Sequence, residues 1–381
     1  MSLPQSITET SAIRHFTALS FTFYFSKPAF RHIEEFIRGA VQAGYRGKII
    51  DIVLLGCTVC HRTTYGKFLS QGVWNEEYVW QSIRKQVLSR IQQLIRYSHQ
   101  PLFVIYDDTI SEKTKPSSKA KRPIEDTAFH HSHLHHKQVW GHQLLTALLS
   151  CNGEVLPYFL ERYQRGGESK IDKVCRIIHS LPTATHTSYG LYDSWFTCQR
   201  VIEAHFQKGY HLIGALKTNR VIYPQGIRIQ IKDFQPYIEK NDVHLVTVGR
   251  SSYWVYRYEG ALNGIDHAAV LLCWPKDGFK NPRCLHAFLC TNTELDTQTI
   301  LSYYSQRWPI EIFFRHSKGN LGLNNYQVRS AKAIDRILVL IALTYLYCVS
   351  SSGQYRPLGP GLRVARDQTQ REKITLIYSA A

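Results

Sequence analysis

Residues Leu102-Phe-Val-Ile-Tyr106 form a short, unbroken apolar run between Pro101 and the acids Asp107 and Asp108. A run of strand length without polar alternation suits a β-strand buried on both faces, and the acids mark its carboxyl end. Neighbouring strand residues point to opposite faces, so only one of the two acids can serve a shared site. A second run, Tyr189-Gly-Leu-Tyr192, also ends on an acid, Asp193. It is followed by a helical pattern from about Trp195 to Lys208, then Gly209, then an apolar run from Tyr210 to Leu216, which together predict a β-α-β unit. Asp193 or Ser194 is equally suited to cap that helix. Earlier, Gln143 to Leu149 and Val155 to Leu160 flank the turn signal Cys151-Asn-Gly153 and predict an antiparallel hairpin. Ile171, Val174, Ile177 and Ile178 then predict a helix. The class is α/β.

On either side of this centre the pattern changes. Phe30, Ile33, Phe36 and Ile37, and later Trp80, Ile83, Val87, Ile91 and Ile95, recur at helical spacing, so residues 1–98 read as an all-helical N-terminal module with basic faces. Such a module suits DNA binding or a helical cap on the next domain. Residues 99–226 read as the first part of a core. From 227 to 292 the pattern alternates, beginning with Ile227, Ile229 and Ile231, and predicts a β-rich insertion. The core resumes over 293–330, and 331–381 reads as a helix around Ala331 to Cys348 followed by a loosely ordered basic tail.

Forty-six Lys and Arg against 29 Asp and Glu leave a formal charge of +17, which points to a polyanion, nucleic acid before an acidic membrane surface. The apolar run Ile337 to Val349 is too short to span a bilayer, and the N-terminal residues lack the apolar segment of a signal peptide, so a cytoplasmic protein without a membrane partner is expected. Nine cysteines fit a reducing compartment. Cys57-Thr-Val-Cys60-His61 matches a haem-attachment pattern, but buried helical cysteines are the favoured reading. Residues Ser111 to Arg122 form a basic loop, followed by His130, His131, His133, His135, His136 and His142. A polar loop facing DNA is favoured there over a zinc site.

The densest chemistry lies in YYSQRWPIEIFFRHSK, Tyr303 to Lys318. Tyr304, Arg307, Glu311, Arg315 and Lys318 follow the period of one helix face, while Ile310, Phe313, Phe314 and Trp308 are placed to anchor it. Pro309 predicts a kink or a fresh helix start. The spacing Tyr304-x2-Arg307-x3-Glu311-x6-Lys318 resembles the Y-x2-R-x3-E-x6-K signature of bacterial insertion-sequence DDE transposases, which move DNA by cut-and-paste. The resemblance covers about residues 100 to 330. It implies a ribonuclease-H-like catalytic core carrying a β-rich insertion, double-stranded DNA as partner (the element's terminal inverted repeats and target DNA), and a homodimer on DNA.

The resemblance further implies a catalytic and metal-binding set of Asp108, Asp193 and Glu311, with Asp107 as the alternative to Asp108. These would hold two Mg²⁺ ions, for which Mn²⁺ can substitute. Tyr304, Arg307, Arg315 and Lys318, with the basic edge Lys217, Asn219 and Arg220, would contact DNA. Relatives stack a flipped base on an insertion-domain tryptophan. Here Ala287 stands in that place, leaving Phe288, His286 or Trp274 as substitutes, with ordinary packing favoured for Trp274. Two further readings share the sequence: a nuclease of the same fold without strand transfer, and an inactive DNA-binding repressor.

Overall fold

The helical spacing of Phe30 to Ile37 and of Trp80 to Ile95 coincides with helices. The computed structural model describes residues 12, 15, 21–55, 60–132, 136–262, 264–350 and 354–380; Cys57, His133 and His135, part of the haem and histidine readings, lie outside them. The helices are α1 (Phe21–Tyr24), α2 (Lys27–Ala40), α3 (Ile49–Leu55), α4 (Arg62–Ser70) and the long α5 (Glu76–Ser98). In α5 the Asn75 side chain accepts from the Glu77 N–H at the start, and His99 ends the helix in the left-handed region at φ 55°. Val79, Ile83, Val87, Ile91 and Leu94 form its buried stripe.

The centre of the molecule is a sheet. Its first strands are β1 (Leu102–Glu112), β2 (Ala128–Ser132), β3 (Lys137–Cys151) and β4 (Glu154–Tyr163); α6 (Lys170–Ser180), β5 (Ser188–Tyr192), α7 (Gln199–Gln207) and β6 (His211–Leu216) follow. Asn152 and Gly153, at φ 49° and 78°, make the two-residue turn expected between β3 and β4. Two boundaries differ from the sequence expectation. β1 does not stop at Tyr106, because β3 pairs with it antiparallel from Phe103 opposite Ser150 to Glu112 opposite Gly141. The parallel partner β5 pairs only as far as Ile105 opposite Leu191, so the acids lie just past the end of that pairing. The helix after Asp193 begins at Gln199 and not near Trp195, because a turn held by the Asp193 carboxylate takes up the first residues.

Beyond β6 lie β7 (Val221–Ile222), β8 (Ile229–Gln230), the short α8 (Ile231–Phe234), β9 (His244–Val248), β10 (Ser251–Leu262), β11 (Ile265–Pro275) and β12 (His286–Cys290). The alternation of Ile227, Ile229 and Ile231 gives only a two-residue strand. Pro224 opens a tight turn with Gln225 at φ 51° just before it, and Ile231 starts a helix just after. Among the described residues twelve strands join one sheet in the order β2-β3-β1-β5-β6-β12-β11-β10-β7-β8, with β4 beside β3 and β9 beside β10. β12 pairs antiparallel with β6, so the outer strands extend the central sheet.

Four helices complete the chain: α9 (Thr297–Ser305), α10 (Pro309–Asn320), α11 (Ala331–Ser350) and α12 (Leu358–Ala380). α11 is long and apolar enough to cross a membrane by length and composition, but it is a core helix, with 89% of its apolar window buried. The loosely ordered tail expected after Cys348 is instead α12. Pro360 falls in its first turn, where a missing N–H is tolerated, and Leu358, Leu362, Ala365 and Thr369 form a buried stripe. Gly361 packs so closely on α11 that a Cβ there would lie 2.2 Å from the Cys348 carbonyl oxygen.

The N-terminal helices are tied to α11 by Arg336, whose side chain is fully buried. Its guanidinium donates to the carbonyls of Phe68, Leu69, Gly72 and Trp74 and to Glu76. Arg336 thereby satisfies the carbonyls at the end of α4 and in the turn that leads to α5. The eight described cysteines are free thiols. Arg336→Ala should lower the unfolding free energy by about 3–5 kcal/mol, since it leaves buried acceptors unpaired; a shift of the urea midpoint measures this, and an unchanged midpoint would show that the carbonyls find other donors.

Candidate active site

The two faces of the sheet separate the acids. On β1 and β5, Tyr106 and Tyr192 stack at 4.6 Å, and both rings meet His205 of α7. On the other face Phe103 and Tyr189 meet Tyr303 of α9 at 5.1 and 5.3 Å. Alternation then assigns the acids. Asp107 shares the face of Phe103 and Ile105, whereas Asp108 shares that of Tyr106. The parallel register, Phe103 opposite Tyr189 and Ile105 opposite Leu191, carries forward to set Asp107 beside Asp193.

Side-chain contacts agree. Asp107 Oδ2 accepts from Arg307 at 2.6 Å and Oδ1 from the Asp108 N–H at 2.8 Å. The same guanidinium reaches Glu311 Oε1 at 3.4 Å. Asp108 instead binds Lys170 Nζ at 2.6 Å, at the start of α6. Asp193 Oδ1 accepts from the N–H groups of Trp195 at 2.9 Å and Phe196 at 3.3 Å, so one oxygen fixes the turn and the other stays unengaged among the described residues. The capping role is met by that turn rather than by α7, whose N-cap is Cys198.

The Tyr304-to-Lys318 row spans two helices. α9 ends at Ser305 and α10 starts afresh at Pro309, as proline predicts, which leaves Arg307 in the turn between them. Tyr304 lies at the end of α9 against Phe288, with ring centres 4.6 Å apart. Glu311 stands in the first turn of α10, where the helix dipole favours a carboxylate. Arg315 is exposed, and Lys318 is half-buried near Glu112 and Glu311. Ile310, Phe313 and Phe314 are buried as anchors; Trp308 is not, being 62% exposed. At the end of β6, Lys217 and Asn219 are exposed, while Arg220 donates to the Thr197 carbonyl at 2.6 Å.

Burial governs the charges. It pushes the Asp107 carboxyl up to about 7, against the pull of Arg307 and helped by the charges of Asp193 and Asp108. Burial also raises Asp193, opposed by the two N–H groups of its turn and helped by Asp108. Burial works against the Arg307 charge too, yet Asp107, Tyr304 and Glu311 outweigh it and hold the guanidinium above its ordinary value. Lys318 is lowered by burial, with Glu112 and Glu311 opposing.

The donor set suits a hard divalent cation, being all carboxylate with unengaged oxygens on Asp193 and Glu311. The oxygens of Asp107, Asp193 and Glu311 do not all lie within 4.8 Å of one another; among the described residues only His32, Glu35 and Cys60 group at that spacing, with Glu35 already bound by Arg31, His32 and Tyr65. A pair of ions about 3.5–4 Å apart takes a wider ligand set than one ion does. Of the histidines, His142 is committed to structure: one ring nitrogen meets Tyr326 Oη and the other the Glu125 carbonyl, each at 2.8 Å, and burial lowers its pKa to about 4.

Lys170 and Trp195 were not singled out from the sequence. Lys170 Nζ lies 4.8 Å from the Trp195 ring, which is 44% exposed two residues after Asp193. Nothing local marks either residue, since their meeting depends on how α6 docks. Trp274 is fully buried against Phe279, and Ala287 is buried within β12; His286 is exposed and Phe288 is half-buried on Tyr304.

The chain is mixed α/β, with carboxylates gathered at the end of a parallel strand pair beside a helix bearing a third. Residues 98–347 match the transposase DDE domain, and the chain belongs to that family. No curated protein matches it.

Because folding raises the Asp107 pKa, the folded state binds more protons between about pH 4 and 7, and this group makes stability fall as pH rises through that window. Carboxyl ¹³C NMR of the metal-free protein should show one aspartate titrating near 7, and Arg307→Gln should move it higher by removing the cation that favours its charge. A downward move would mean that Arg307 is not the neighbour that controls it.

Proposed function

We propose that this chain is a DNA transposase that cleaves the ends of an insertion sequence and joins them to target DNA by two-metal phosphoryl transfer, with Asp107, Asp193 and Glu311 as the metal-holding acids. The register that sets Asp107 beside Asp193, on the face where Arg307 bridges to Glu311, is the observation that carries this reading. Asp108, the residue expected from the family pattern, becomes a positioning group through Lys170.

The strand order supports a ribonuclease-H-like core. β4-β3-β1 run antiparallel and β1-β5-β6 parallel, with the acids on the central strands and the helix bearing Glu311 on one face. Residues 99–226 and 293–330 form this core in the proposal, 227–292 the insertion, 1–98 the helical module and 331–381 the C-terminal helices.

Bound Mg²⁺ or Mn²⁺ would lower the pKa of the attacking water or 3′-hydroxyl and stabilise the leaving oxygen. The protein's own groups do the rest. Asp107 would have to give up its proton to hold an ion, so ion affinity would rise with pH toward and through about 7. Arg307 balances Asp107 and Glu311 and, with ions held by those carboxylates, would be available to a phosphate oxygen. Tyr304, Arg315 and Lys318 line the approach, as do Lys217 and Asn219, with Arg220 fixing the edge through Thr197. The substrates are the element's terminal repeats and target duplex, held by a homodimer.

The test is Mg²⁺-dependent cleavage of a labelled duplex carrying the element's terminal repeat, with binding read by gel shift. Asp107→Asn, Asp193→Asn and Glu311→Gln should each abolish cleavage and leave binding largely intact, while Asp108→Asn should retain measurable cleavage. The reverse pattern for Asp107 and Asp108 would return the ligand role to Asp108. Full activity in all four variants would remove the metal site from this location, and binding without cleavage even by wild type would favour a repressor.

A further inference from the structure

A basic groove opens at the far end of the same strand and helix that carry Asp107 and Glu311. Its volume is about 1290 Å³, and it is lined by the loop after β1, the segment after α10 and the turn between α2 and α3. Arg46, Lys48, Lys115, Lys121, Arg122 and Arg329 are all exposed along it, and among the described residues Glu112 is the only lining carboxylate. No ion pair to a carboxylate forms at any of those six cations among the described residues.

The walls are built, not incidental. Gly47 and Gly322, at φ 90° and 76°, pack backbone on backbone so closely that a Cβ on Gly47 would lie 2.8 Å from the Gly322 Cα. That contact seats Arg46 and Lys48 against the segment after α10. Across the groove, Lys113 Nζ donates to the Asn324 carbonyl at 2.7 Å and lies 3.5 Å from the Tyr326 ring centre. The Glu125 N–H donates to the Arg329 carbonyl at 2.9 Å, and Arg329 donates to the Arg122 carbonyl at 3.0 Å.

From this arrangement we infer that the groove is a docking channel for the sugar-phosphate backbone of duplex DNA about five to six base pairs from the bond that is cut. Its chemistry is that of phosphate contact: the six cations form no side-chain ion pair among the described residues, and the nearby Asp51 carboxylate is taken up by the backbone N–H groups of Arg46 and Lys48. It offers little stacking surface: among its described lining residues the aromatic one, Tyr326, is buried beneath Lys113, and the exposed Phe129 ring nearby carries Lys115 Nζ 5.2 Å from its centre. Unpaired bases would need such a surface, so duplex is the better fit. The distance follows from element geometry. Six residues of extended chain from Asp107 to Lys113 span roughly 20 Å, and duplex DNA rises 3.4 Å per step along each strand. The position of the cut rests on the acid-cluster reading; the binding itself does not.

The experiment compares the full chain with the triple variant Lys115→Ala, Lys121→Ala, Arg122→Ala on a random-sequence duplex and on its single strand, across about 50 to 200 mM salt. Loss of three phosphate contacts should make the slope of log K against log salt shallower by about 2 to 3 for duplex, with a smaller change for single strand. The matching Lys115→Arg, Lys121→Arg variant should keep the wild-type slope, which separates lost charge from disturbed structure. An unchanged slope in the triple variant, or an equal loss on both probes, overturns the channel. Neutral methylphosphonates five to six nucleotides from the cut should weaken wild type and leave the triple variant indifferent; sensitivity elsewhere overturns the placement. Asp107→Asn should leave the salt slope as it is, so the metal site can fail while the channel stands, and the reverse.

Discussion

Carboxylates crowded into a half-buried space repel one another, and the arrangement around Asp107 depends on how that repulsion is met. Desolvation and neighbouring charge together favour a proton on Asp107, while Arg307, held in a turn between two helices, offers its charge to Asp107 and Glu311 at once. The turn exists because Pro309 cannot continue α9 and is well suited to begin a new helix. A single backbone constraint thus places the cation. The charge of the site is balanced by a proton and a guanidinium.

Much of this was legible in the chain. The Asn152-Gly153 turn joins the hairpin, the β-α-β unit from Tyr189 to Leu216 is parallel as its helix requires, and Pro309 starts a fresh helix, although that break takes Arg307 off the single helix face expected for Tyr304 to Lys318. These signals are local or periodic. The choice between Asp107 and Asp108 was not of that kind. Both acids follow the same apolar run, and their faces are set by which helix docks on which side, information carried by Tyr303 and His205 far along the chain. The strand's continuation past Tyr106 was hidden likewise, because its partner β3 lies on the other side of a loop.

The remaining misreadings share a cause in tertiary context. Proline and glycine near residue 360 look like the composition of a loose tail, yet one sits where a helix tolerates it and the other where two helices nearly touch. Trp308 looks like an anchor by size and is exposed, because α10 turns its other side to the core. The alternating isoleucines near residue 229 have strand periodicity without strand length, since flanking turns leave no room for it.

The pairing of β12 with β6 makes the sheet continuous. Strands that follow the second acid in sequence are joined through β12 and β6 to the strand that ends beside it. Every strand from β6 outward therefore shares one ladder with β5 and β1, so the backbone that carries Asp107 and Asp193 is bonded on both sides, to β3 on one and to the later strands on the other.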